Sequence, residues 1–244
     1  MAPETLAAAA LIVAGTYLVF GLTGFGSTVL ALPLLAHFLP LKFAVALLLL
    51  LDMAAGLAVS SRGWRGVRLD ELAWVLPFVL AGIALGFTLL LRLPEGPLLT
   101  ALAVFLLAYA AYGLARRQGL PKLSRGWSAP FGVAGGMLSA LFGTGGVLIA
   151  LYINSRLSDK EELRATAAAA VLLNSSARTI LFGVAGLLTW SVVSSALFML
   201  PAVALGLWFG DRLHGAIPGA LVTRALYAVV ALAGLSLLRR VMLS

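Results

Sequence analysis

An all-α integral membrane protein made of two inverted repeats is the fold class the sequence predicts, each repeat a broken or re-entrant helix pair followed by three transmembrane helices. Three observations predict it. Of the 244 residues 62% are hydrophobic and 11% charged, with a mean hydropathy of +1.07, far from the composition of a soluble domain. A Gly-rich interruption, Gly24-Phe25-Gly26, returns as Gly143-Thr144-Gly145-Gly146. Leu76, Pro77, Gly82, Gly86 and Pro94 meet Leu200, Pro201, Gly206, Gly210 and Pro218 at a constant offset, and Pro and Gly matches in register are not cheap in an apolar sequence.

The segments follow in order. Apolar stretches run from Thr5 to Leu22, Ser27 to Leu39, Phe43 to Ser60, Leu72 to Leu91 and Leu98 to Ala115. A polar connection, Arg116 to Ser128, separates them from Ala129 to Phe142, Gly146 to Ile153, Leu163 to Leu188, Ser191 to Gly210 and Ala220 to Leu238. The reading is a first repeat over 1–116, a cytoplasmic linker over 117–128 and a second repeat over 129–244. The 35 residues from Thr5 to Leu39 would reach about 52 Å as one helix, against an apolar core of about 30 Å, so the chain must turn back near Gly24 to Gly26. A hairpin-like pair plus three spans is an odd number of crossings, which inverts the second copy. Inversion puts eleven Lys and Arg on one side (Arg62, Arg65, Arg68, Arg116, Arg117, Lys122, Arg125, Arg156, Lys160, Arg164, Arg212) and four on the other (Lys42, Arg92, Arg239, Arg240). The positive-inside rule then places both termini outside, with Arg239 and Arg240 as the discordant pair. No charged leader with a cleavage site precedes the first apolar segment, which is expected to stay in the mature protein.

Composition also excludes functions. With zero cysteines there is no disulfide and no thiolate-ligated metal. The net charge of +8 lies in short loops beside apolar segments, so it sets topology and does not point to nucleic acid. No Gly-x-x-x-x-Gly-Lys motif is present, which excludes ATP hydrolysis of that type by this chain.

Chemistry-bearing residues gather at the two breaks and in two helices. Thr23, Ser27 and Thr28 around Gly24, Phe25 and Gly26, and Thr144 among Gly143, Gly145 and Gly146, put hydroxyls and free N–H groups at the start of two short helices, where an anion is favoured. Leucine at Gly26 or Gly145 is expected to block an anion with little loss of folded protein. Asp52, ten residues into its apolar helix, costs about 2.5–3.5 kcal/mol to insert. Arg178 lies deep in the matching helix, with Asn174, Ser175 and Ser176 a turn before it. Asp52 and Arg178 read either as a structural ion pair or as a coupling residue and a substrate ligand. His37 and His214 stand alone without metal spacing; His37 with Ser27 or Ser60 is the one poor candidate for an intramembrane enzyme, so no catalytic residue, metal or cofactor is expected. Trp64, Trp74, Trp127 and Trp190 fall at segment ends as interface anchors, and Arg224 is close enough to an interface to snorkel.

With the Gly-Phe-Gly stretch, its Gly-Thr-Gly-Gly echo and the charged loop before Ala167 to Ser176, the chain resembles the sulfite exporter TauE/SafE family, also called the toluene-sulfonate uptake permeases. The resemblance implies a secondary transporter in a prokaryotic cytoplasmic membrane, expected to export sulfite, thiosulfate or an organosulfonate by alternating access. Coupling to H+ or Na+ and the oligomeric state stay open. The alternatives are a passive anion channel or a membrane subunit serving a partner.

Overall fold

A computed structural model describes residues 3–23, 26–60, 66–115, 122–213 and 219–243. These form ten α-helices: α1 (Pro3–Thr23), α2 (Ser27–Leu35), α3 (Leu41–Ser60), α4 (Leu69–Arg92), α5 (Glu95–Ala115), α6 (Ser128–Phe142), α7 (Gly146–Arg156), α8 (Lys160–Val184), α9 (Trp190–Leu213) and α10 (Gly219–Leu243), with a 3-10 turn at Arg125–Trp127 before α6. No strand is present among the described residues. Six helices, α3, α4, α5, α8, α9 and α10, are long and apolar enough to cross a membrane, and α1 carries a shorter apolar stretch, Leu6–Leu22. Those six are the three full spans expected in each half. The two breaks fall where the sequence puts them, between α1 and α2 and between α6 and α7.

The helices fall into two compact units, each drawing on both halves of the sequence: Met1–Leu51, Leu93–Arg117 and Leu188–Ser244 in one, Asp52–Arg92 and Gln118–Leu187 in the other. In the first unit α1 packs along α9 and α5 along α10; in the second α4 packs along α6, and α7 and α8 close around them. Lipid tails are as apolar as leucine, so helices in a bilayer associate through close packing, which small residues permit.

The glycines show how close the packing is. A Cβ on Gly82 of α4 would lie 2.2 Å from the Val133 carbonyl oxygen, and one on Gly86 2.4 Å from that of Met137, both on α6. In the other unit a Cβ on Gly206 would lie 2.5 Å from the Ala14 carbonyl oxygen and one on Gly210 2.5 Å from that of Leu18. These four glycines are helix-packing surfaces. Val133 and Met137 stand at the offset of the Gly breaks from Ala14 and Leu18, and Gly206 and Gly210 at the offset of the Pro-Gly repeat from Gly82 and Gly86. The same pair of elements is thus made twice, with the sequence halves exchanging roles. Both α4 and α9 carry an internal proline in the same register, Pro77 and Pro201, and their outward leucines and aromatics, among them Leu80, Leu85, Phe198 and Trp208, are exposed as a lipid-facing surface requires.

Valine at Gly82 or Gly206 should therefore destabilise by about 1–3 kcal/mol or more. The measurement is the midpoint of thermal unfolding in detergent, with Gly15→Ala and Gly96→Ala, which face open space, as variants that show no loss.

Candidate functional site

In the second unit α6 ends at Phe142 and Gly143 takes the left-handed conformation, φ +72°, its N–H donating to the Ser139 carbonyl at 2.8 Å. Thr144 and Gly145 follow, and α7 begins at Gly146 with the Leu148 N–H donating to the Gly145 carbonyl at 3.1 Å. The first N–H groups of α7 have no acceptor inside their own helix. Thr144 is buried, and its hydroxyl has no hydrogen-bond partner.

The expectation that Gly145 could become leucine with little loss of fold is corrected here. A Cβ on Gly145 would lie 1.7 Å from the Gly135 carbonyl oxygen and 2.5 Å from the Ser139 nitrogen, so this glycine is where α7 presses on α6. Gly146 is different, since a Cβ there meets only the Val171 side chain at 3.5 Å. Gly26 has φ +93°, and a Cβ there would lie 3.1 Å from Leu226 Cδ1, so a side chain is strained before any ligand is considered. Neither glycine substitution separates a binding role from a structural one.

Asn174 and Arg178 lie one turn apart on α8 and so share a face. The Asn174 amide donates from Nδ2 to Ser139 Oγ at 2.6 Å, joining α8 to the last turn of α6 just before the break. Arg178 is 2% exposed, its guanidinium carbon 5.7 Å from the centre of the Phe182 ring, which in turn lies 5.3 Å from Phe87. Its Nε and Nη2 have no hydrogen-bond partner. Those two nitrogens form one edge of the guanidinium, the fork that receives two oxygens of an oxyanion side by side. Asp52 lies on α3 with a half-buried side chain, and the Nε/Nη2 edge of Arg178 stays unused.

The other break lies in the first unit. Ser27 and Thr28 are buried at the start of α2, whose first turn closes with the Leu30 N–H donating to the Gly26 carbonyl at 3.2 Å. Gly24, Phe25 and the side chain of Thr23 lie outside the described residues, as do Trp64, His214 and the side chains of Ser60 and Arg224. His37 is a packing residue, its Nδ1 2.7 Å from the Pro33 carbonyl and its Nε2 3.2 Å from Ser236 Oγ on α10. Arg240, discordant as a topology signal, donates from α10 to the Ala36 carbonyl and so caps the end of α2.

Two features lie beyond the sequence reading. Ser139 is fully buried and receives Asn174, yet its counterpart at the offset of the Gly breaks is Phe20, so the duplication gives no hint of it. The second is an ionic cluster in the second unit. Glu71 at the start of α4 is buried and takes both Nη2 and Nε of Arg156, the last residue of α7, at 2.9 and 3.2 Å. Arg156 also donates to the Leu123 carbonyl at 2.9 Å, and its guanidinium is pushed above the usual arginine range chiefly by the hydrogen bond to Glu71. Arg125 reaches Glu71 at 3.5 Å and Asp70 at 3.4 Å, and Arg68 pairs with Asp70 at 3.0 Å and Glu162 at 3.2 Å. No spacing rule in the sequence announces which carboxylate meets which guanidinium in this cluster.

Apolar spanning helices, two short helices opening on Gly breaks and a buried arginine with an open edge define a multi-pass membrane protein of the transporter class. The chain belongs to the sulfite exporter TauE/SafE family, whose profile matches residues 7–237. It is 27% identical over 194 residues to the probable inner membrane transporter protein TsaS of Comamonas testosteroni, a match covering 78% of this chain and 81% of that one. No solved structure matches the chain.

Glu71→Gln should leave Arg156 without its buried counter-charge and cost about 3 kcal/mol of stability. Thermal unfolding of Glu71→Gln, Arg156→Gln and the double variant checks it. The double variant is expected to recover part of the loss, and equal stability of all three with the wild type would dissolve the pair.

Proposed function

We propose that this protein is a secondary transporter of a small sulfur-containing oxyanion, such as sulfite, thiosulfate or an organosulfonate, working by alternating access in a prokaryotic cytoplasmic membrane with export as its direction. The observation that carries the reading is the Nε/Nη2 edge of Arg178, buried in an apolar helix and without a hydrogen-bond partner. An unmade hydrogen bond to a buried donor costs about 1–3 kcal/mol, more for a charged group, and an oxyanion supplies two acceptors at the spacing the edge requires. Thr144 adds a hydroxyl without a partner, and the start of α7 adds N–H groups and positive partial charge. Gly143, Gly145 and Gly146 shape this break, Asn174 is held beside it by Ser139, and Ser27 and Thr28 with Gly26 form the corresponding opening of α2. Membership of the sulfite exporter TauE/SafE family supports this class of cargo, and the inner membrane transporter to which the chain is similar supports this membrane.

The two halves are read as inverted repeats, with the 117–128 linker in the cytoplasm and both termini outside. A reporter active only in the cytoplasm, fused after Ser244, should be silent; activity there would replace inversion by a parallel arrangement. Transport is checked in proteoliposomes with labelled sulfite, thiosulfate and taurine, under imposed pH and sodium gradients. Arg178→Gln should lower saturable uptake by about a hundredfold, the scale of a lost charge-assisted fork of about 3 kcal/mol, while the protein still inserts and purifies. Unchanged uptake in that variant would remove Arg178 from the site.

A further inference from the structure

Two buried groups with opposite hydrogen-bonding needs are left over on one face of α8. Asn174 is 3% exposed and its Nδ2 donates to the fully buried Ser139 Oγ at 2.6 Å, yet its Oδ1 has no hydrogen-bond partner. One turn further along the helix, Nε and Nη2 of Arg178 are without a partner as well. Residues four apart on a helix have Cβ atoms about 5–6 Å from each other, within the span of one small cargo. A guanidinium can only donate, and an amide oxygen can only accept. The oxygens of an anion meet the first need and leave the second unmet. We propose that the Asn174 carbonyl is a specificity determinant, selecting oxyanions that bring a hydrogen-bond donor of their own beside the anionic head: hydrogen sulfite, or a sulfonate with a hydroxyl or ammonium group close to its sulfur. The inference rests on the reading of Arg178 as the anion ligand and narrows the cargo within it.

Ser139 is what leaves the carbonyl available. Its own carbonyl takes the Gly143 N–H at 2.8 Å, and a Cβ on Gly145 would lie 2.5 Å from its nitrogen, so the chain on both sides of Thr144 packs on this serine and fixes its place. With Nδ2 engaged on Ser139 Oγ, the planar amide turns Oδ1 away from the serine. The opposite setting of the amide would leave two N–H donors over in place of one acceptor, on a face where two donors are already unmet. A buried acceptor without a partner is costly, and cargo whose polar atoms are all acceptors does nothing to relieve it. A hydroxyl or ammonium on the cargo does. Neither charge nor head group separates ethanesulfonate from hydroxymethanesulfonate, in which a hydroxyl replaces the methyl group. The Arg178 edge serves both alike, and Asn174 serves the second alone. In an apolar site lacking an acceptor the methyl compound is the tighter ligand, so the sign of the preference carries the test.

The experiment measures binding to the full-length protein in detergent, by calorimetry at fixed pH and ionic strength, for two matched pairs: hydroxymethanesulfonate against ethanesulfonate, and isethionate against propanesulfonate. Wild type, Asn174→Leu, Asn174→Ala and Arg178→Gln are compared. Wild type is expected to bind the hydroxylated member of at least one pair about tenfold more tightly. Asn174→Leu and Asn174→Ala should erase or invert that preference, the hydroxylated compound losing affinity while its methyl counterpart keeps or gains it. Wild type that binds the methyl member as tightly as the hydroxylated one in both pairs, or more tightly, would overturn the proposal whether or not any variant folds. A preference that persists in the Asn174 variants would do the same while leaving Arg178 in place. Binding of all four compounds that survives in Arg178→Gln, or no binding of any of them by the wild type, would instead bring down the reading of the site itself.

Discussion

A guanidinium buried in an apolar helix with one edge unmet is the interaction on which the second unit turns. Placing arginine at the centre of a spanning helix costs about 2.5–3.5 kcal/mol on the insertion scale, and a buried donor left unpaired adds to that. The Phe182 ring beside Arg178 offsets part of this cost, and the surroundings stop short of the Nε/Nη2 edge. A residue retained only for structure would gain by closing that edge with a carboxylate or a carbonyl. On the function proposed above, that open edge is where two oxygens of the anion would bind.

Within each unit the helices are held by close backbone packing. Where Gly82 and Gly86 meet α6, and where Gly206 and Gly210 meet α1, no Cβ fits, so backbone lies on backbone and neither pair can slide without collision. The same construction made twice from different sequence, Ala14 and Leu18 on one side and Val133 and Met137 on the other, means that the carbonyl positions and not the side chains are what the pairing uses.

What was legible in the sequence is what local chemistry sets. Apolar runs, their lengths and the two Gly breaks depend on local chemistry, and all ten helices lie where those signals put them, with ends displaced by a few residues. Asp52 and Arg178 were legible because a charge in an apolar run is expensive enough to need a reason. Ser139 was not, since a serine near a helix end reads as an ordinary small residue until the fold brings Asn174 to 2.6 Å from it. Nor was the pairing of Glu71 with Arg156, 85 residues apart, or the capping of α2 by Arg240, 204 residues from Ala36, because such partners are chosen by helix packing. Gly145 misled in the opposite direction: its place in a Gly-rich break suggests access for a ligand, and its neighbour is the backbone of α6.

Short helices survive inside a membrane only where protein or water receives their ends. With 11 residues α7 extends about 16 Å, roughly half of the apolar thickness, so both of its ends must find polar partners in the interior or at its margin. Its C-terminal end finds them: Arg156 anchors it to Glu71 and to the Leu123 carbonyl. The nine-residue α2 is closed at its C-terminal end in the same manner, by Arg240 on the Ala36 carbonyl and by His37 between Pro33 and Ser236. At the opening of α7 the sequence supplies contact but not neutralisation. Gly145 seats the turn against α6, while the Thr144 hydroxyl beside it has no hydrogen-bond partner. The polar accounting of the short helix is thus met at its C-terminal end, while at its start the Thr144 hydroxyl is left over, the end to which the proposed anion would bring its oxygens.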